Sequence, residues 1–230
     1  MNPSLQTSGY RGSDALVVER NRVLRNTYWL LALSMIPTVL GAYIGVTTGI
    51  ARSMSPGISL IVFLGGAFGF MYAIEKTKNS ALGVPMLLAF TFFMGVMLSR
   101  LLGAVLGLAN GASLIMMAFA GTGAVFFGMA VLSSVIKRDL STMGKWLFIG
   151  AVVIFFTAIA NVFIQSGPLM LTIAVLAIVI FTAFILYDLK RVRDGEETNY
   201  ITATLGIYLS LYNVFQSLLA LLGIFGGDRD

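Results

Sequence analysis

Apolar residues fill this chain in long blocks separated by short polar links, a pattern unlike the alternation of half-buried strands. Runs of about 20 apolar residues are long enough to cross bilayer hydrocarbon as helices. They fall at Thr27–Ala51, Ile58–Ile74, Ala81–Ser99, Leu114–Ile136, Trp146–Ile164, Leu169–Tyr187 and Tyr200–Phe225. The pattern predicts an all-α polytopic membrane protein with seven transmembrane helices. A cytoplasmic N-terminal tail at 1–26, polar and disordered, precedes a seven-span domain at 27–225 and a short external C-terminal tail at 226–230. The third run has the least defined boundary. Arg100 follows it and apolar residues resume as far as Ala109, so this helix can be longer, tilted or followed by a re-entrant turn.

Composition agrees. Of 230 residues, 58% are apolar and 11% charged, with a mean hydropathy of +0.92, against roughly 45–50% and 25% in soluble domains. The links leave no room for a globular domain outside the bilayer. With no Cys and no His, disulfides, thiolate nucleophiles, Ser-His-Asp triads and the usual zinc sites are excluded. The net charge of +5 comes from basic residues scattered between spans, which report orientation rather than nucleic-acid binding. Twelve of the 15 Lys and Arg lie in alternate segments beginning with the N-terminus and three in the opposite set. The positive-inside rule therefore places the N-terminus in the cytoplasm and the C-terminus outside. The polar start contains no apolar run of signal-peptide length, so the first span is expected to serve as its own targeting signal.

Small residues recur at the four-residue spacing that lets helices approach closely: Gly41, Gly45 and Gly49 in the first span, Gly65 and Gly69 in the second, Ala124 and Gly128 in the fourth. Packing is the expected use, since Gly121-Thr122-Gly123 lacks the strand-to-helix context of a nucleotide loop.

Ionisable groups are costly at membrane depth, so those that intrude are candidate functional residues. Asp188 directly follows Leu169–Tyr187, ahead of Lys190, Arg191 and Arg193, and Glu75 holds the corresponding end of the second span beside Lys76 and Lys78. Each is either an interfacial carboxylate paired with a neighbouring base or part of an ion or proton site. The seventh span is the most polar: Ser210, Asn213 and Ser217 share a stripe, with Gln216, Tyr208 and Tyr212 nearby and Asn161 and Thr157 of the fifth span able to face it. That stripe either hydrogen-bonds to other helices or lines a polar path. Without His, a response near neutral pH falls to a carboxylate, of which Asp188 is the best placed. No cofactor or metal centre is expected. Oxygen ligands alone would favour Ca²⁺ or Mg²⁺ over zinc or copper, and a single carboxylate is a poor, weak calcium site. An aspartyl protease is excluded, because span seven has no second acid between Tyr200 and Phe225.

Tyr187-Asp188 closing span six, the segment Gly195-Glu196-Glu197-Thr198-Asn199-Tyr200-Ile201, the stripe Ser210-Leu211-Tyr212-Asn213 and Val23-Leu24-Arg25-Asn26-Thr27-Tyr28 before span one together resemble the transmembrane Bax inhibitor motif family. The likeness covers nearly the whole chain after Val23. It implies a bundle of six helices around the seventh and, in several members, a pH-sensitive calcium leak controlled by two aspartates. Asp188 matches the first of these, and the second falls at Ser210, a hydroxyl that cannot share a proton as a carboxylate pair does. The chain is most similar to a bacterial branch, which implies an inner-membrane regulator that binds FtsH, a membrane-embedded ATP-dependent protease, through a grippable cytoplasmic tail. Regulation of membrane protein quality control, without catalysis, is the expected function. A calcium leak using Asp188 and the span-seven stripe is the alternative.

Overall fold

The computed structural model describes the backbone of residues 3–226 and the side chains of residues 18–226. Its elements are α1 (Pro3–Thr48), α2 (Ile50–Ser53), α3 (Pro56–Thr77), α4 (Gly83–Val105), α5 (Gly111–Val135), α6 (Ser141–Ile164), α7 (Gly167–Asp194) and α8 (Tyr200–Phe225). Every helix but α2 is long and apolar enough to cross a membrane, α1 over Val18–Thr48. The chain is thus a seven-span helical membrane protein, as the apolar runs predict.

Local chemistry sets the helix ends. Gly49 turns the chain out of α1 with φ +68° and Gly195 ends α7 with φ +83°, a region where a side chain is strained. Ser55 and Ser166 cap α3 and α7, each with a proline in the first turn. Asn199 Oδ1 accepts from the amides of Ile201 and Thr202 to start α8.

Three boundaries differ from expectation. Arg100 lies within α4, which runs on to Val105 before Leu106–Asn110 turns the chain directly into α5. α7 continues past Tyr187 to Asp194, so Asp188 sits inside the helix rather than at its end. The first span begins before Thr27: Val23 is 6% exposed and packs with Val192 and Ala203, while Thr27 is buried. Charged residues on the outer face of this segment, Arg22 and Arg25, hide its apolar stripe when composition is averaged along the chain. The tail expected to be disordered over 1–26 has its backbone within α1 from Pro3 onward, with side chains described from Val18, and the external tail beyond Gly226 lies outside the described residues.

The seventh span, α8, is central, packing against α1, α3, α4, α5 and α7. It shares that position. Half of the apolar window of α4 is buried and 44% of that of α8, against 6% for α6, which packs peripherally on α7 and α3. The core joins Ile207, Tyr208 and Val214 of α8 to Leu87, Phe90 and Met94 of α4 and Ile185 and Leu189 of α7. Where α1 crosses α4, Gly41 meets the Phe92 carbonyl and Gly95 meets the Thr38 carbonyl, so the two backbones touch. Gly45 lies against the Ser99 side chain. The other small-residue stripes do not pack: a methyl at Gly65, Gly69 or Gly128 would meet nothing, and Phe93 packs on Gly66 instead. Spacing identifies a smooth face without showing which side of the helix turns inward.

Candidate functional site

Asp188 projects from α7 toward α8, where Gly206 has no side chain to oppose it; a methyl there would sit 3.0 Å from Oδ2 and 3.5 Å from Cγ. The carboxylate is half-buried. Among the described residues it makes no hydrogen bond or ion pair, and its charged neighbours are Arg191 and Glu197. The three following bases are committed elsewhere. Lys190, itself buried, pairs with Asp194. Arg191 reaches Glu196 at 3.7 Å and Glu197 at 3.9 Å while lying over the Tyr187 ring. Arg193 bridges Asp194 at 2.9 Å and donates to the Ile136 carbonyl at the end of α5. Asp188 is therefore not the paired interfacial acid that one of the two readings supposes.

Ser210 follows Gly206 by one helical turn and is buried, with no hydrogen bond to Asp188. Asn213 turns its amide back onto its own helix, donating to the Leu209 carbonyl at 2.8 Å. The structure thus places Asp188 and Ser210 on facing helices and keeps Asn213 out of the pair. Gln216 is exposed. Asn161 closes the end of α6, its Oδ1 accepting from the Ser166 amide at 3.0 Å. Glu75 is exposed and paired with Lys78 at 2.6 Å, as in its interfacial reading.

Tyr208 serves the bundle. Its hydroxyl meets Thr38 Oγ1 of α1 at 2.9 Å and lies 3.4 Å from the Thr91 carbonyl of α4, while its ring packs edge-on against Phe90. Tyr212, a turn further on, donates to the Met94 carbonyl at 3.3 Å. Thr204 adds a weak bond to the Thr27 carbonyl at 3.4 Å. The interhelical bonds of α8 thus come from Tyr208, Tyr212 and Thr204, whereas the stripe residues Ser210, Asn213 and Ser217 make none to a neighbouring helix among the described residues.

At the end of the bundle that carries Asp188, several polar contacts escape sequence reasoning. Asn199 Nδ2 donates to the Lys78 carbonyl and to Asn79 Oδ1, tying the start of α8 to the α3–α4 link. With Lys190, Arg193 and Asp194, these bonds fasten the α7–α8 link to its neighbours. The cap Asn199 is visible in sequence as an amide before an apolar run; its partners 120 residues away are not.

Chemically, the site holds one lone carboxylate facing a glycine. Among the described residues no three His, Cys, Asp or Glu side chains converge, whereas Ca²⁺ asks for six to eight oxygen ligands.

A family model described as "Inhibitor of apoptosis-promoting Bax1" matches residues 20–227. The chain is 37% identical over 212 residues to the "Modulator of FtsH protease YccA" of Escherichia coli K12, covering 92% of this chain and 94% of that protein. The same identity and coverage hold for the "Inner membrane protein YccA" of E. coli O6:H1. An "Uncharacterized membrane protein" of Vibrio cholerae is 35% identical over 211 residues, 92% of this chain and 93% of its own.

Proposed function

The chain belongs to the family described as inhibitor of apoptosis-promoting Bax1, and on that premise we propose that it is a bacterial inner-membrane regulator that binds the FtsH protease and restrains its attack on membrane substrates. The observation that carries this reading is the likeness to the FtsH modulator of E. coli, which extends over 92% of the chain. In this reading the role is regulatory, like that named for the E. coli relative. Orientation follows the charge asymmetry, with the N-terminus cytoplasmic and the C-terminus periplasmic.

Physically, an inhibitor of this kind must offer the protease something to engage without being extracted. The N-terminal segment supplies a polar, Ser-, Gly- and Arg-containing stretch. The seven-span bundle, with α1 held backbone-to-backbone on α4, resists the pull. Residues 1–17 are thus the engagement segment, and packing from Val23 onward is the anchor.

Affinity capture of FtsH on the full chain and on a variant lacking residues 1–17 tests this. Capture by the full chain, lost in the variant, is expected. Unchanged capture would remove the tail from the account, and no capture by the full chain would remove FtsH.

A further inference from the structure

At the end of the bundle opposite the basic rim of Lys190, Arg191 and Arg193, two arginines converge with no carboxylate beside them among the described residues. Arg52, in α2, lays its guanidinium flat over Gly103 of α4: a methyl there would be 3.4 Å from each of Cζ, Nε and Nη1. Arg100 lies one turn earlier on α4 and donates Nη1 to the Met54 carbonyl at 3.4 Å. Both cations therefore border the short link between α1 and α3 on one side of α4. A guanidinium carries five N–H donors. The Met54 carbonyl is the one acceptor they have among the described residues.

Every acid with a described side chain lies toward the opposite end; the sequence's remaining three, Asp14, Asp228 and Asp230, lie outside the residues described with side chains. The depth of the pair limits its anion. Past Arg100, α4 continues through Leu101, Leu102 and Val105, and the link to α5 is Leu106-Gly107-Leu108-Ala109-Asn110 with no charge. Intramembrane arginines are costly and persist where they find partners or reach the interface. Here they lie at the level where apolar helix ends meet the headgroups, and the abundant anion at that level is phospholipid phosphate. A fork-shaped guanidinium matches phosphate oxygens in pairs.

We propose that Arg52 and Arg100 form a binding site for the headgroup phosphate of an anionic phospholipid, in the leaflet opposite the basic rim. Two positive charges without a local acid among the described residues favour an anionic headgroup over a zwitterionic one, whose own cation opposes them.

Native mass spectrometry of the detergent-solubilised full chain tests the site, with phosphatidylglycerol and phosphatidylcholine supplied in equal amounts. The native chain is expected to retain phosphatidylglycerol in preference. Retention should fall about fivefold with each of Arg52→Gln and Arg100→Gln, the worth of one basic residue near a charged surface. Elution volume and helical circular dichroism check that each variant is folded, and Arg52→Gln, whose side chain is exposed, keeps the test available if Arg100→Gln is not. Equal retention by native chain and folded variants overturns the proposal and leaves the arginines to another anion, such as the chain's own Asp228 and Asp230. Displacement of the lipid by inorganic phosphate at equal concentration overturns it too, since the site would then select a soluble anion.

Discussion

Asp188 on α7 directs its carboxylate at the bare Cα of Gly206 on α8, with Ser210 one turn beyond. An acid facing a glycine has no second carboxylate to share a proton with, so this pair of helices lacks the coupling that splits two carboxylate titrations. That relationship separates a regulator from the ion-leak alternative.

A proteoliposome calcium assay follows from it. Vesicles carrying the native chain, the Asp188→Asn variant or no protein should show the same calcium entry at pH values on both sides of neutrality. A leak above the protein-free level that Asp188→Asn abolishes would contradict this.

The α1–α4 crossing should be the most substitution-sensitive surface in the bundle. Gly41→Ala and Gly95→Ala each drive a methyl into a backbone carbonyl of the facing helix, and overpacking of this kind costs about 1–3 kcal/mol or more. Gly65→Ala and Gly69→Ala meet open space and should leave stability unchanged. Thermal unfolding in detergent, scored for the four variants together, checks the contrast; equal effects at all four would contradict the packing described.

Tyr208→Phe removes a hydroxyl that touches both α1 and α4, and Tyr212→Phe removes one that touches α4 alone. Interhelical hydrogen bonds in membranes are worth about 0.6 kcal/mol on average and up to about 1.7, so both losses should be modest, with Tyr208→Phe the larger. In a double-mutant cycle with Thr38→Val, the Tyr208 effect should shrink while the Tyr212 effect stays the same.

Asp139, before α6 and outside the membrane, accepts from the Ser141 backbone amide at 2.8 Å and from its hydroxyl at 3.1 Å. These bonds, the amide foremost, hold its carboxyl below the ordinary carboxylate value. A depressed folded-state value means that the contribution is complete at neutral pH and is lost as pH falls through that value. Amide exchange at Ser141 should be faster in Asp139→Ala than in the native chain at pH 7, and the difference should vanish in strong acid. A difference that persists there would show that the charge is not what holds the turn.

The spans and their number were legible in the sequence because twenty-residue apolar runs have few other uses in water or in lipid. What composition could not show was facing. Gly41 and Gly65 sit in equivalent stripes, yet one touches a backbone and the other touches nothing, since spacing defines a face but not its neighbour. Asp188 was identifiable as an intruding acid, but its position inside α7 and its Gly206 neighbour depend on the α7–α8 crossing. Asn213 and Asn161 stay open between packing and a polar path in the sequence, because polarity alone does not separate an amide bonded close to its own position from one lining a channel. Arg52 in α2 and Arg100 in α4 lie 48 residues apart in the sequence, so their convergence required the fold.

The measurement that bears most directly on the account is the rate at which purified FtsH degrades a membrane substrate in proteoliposomes, with and without this chain. The account predicts slower, dose-dependent degradation that is restored when residues 1–17 are removed, while the chain itself remains intact. An unchanged rate at saturating amounts of the chain, or rapid degradation of the chain as an ordinary substrate, would contradict it.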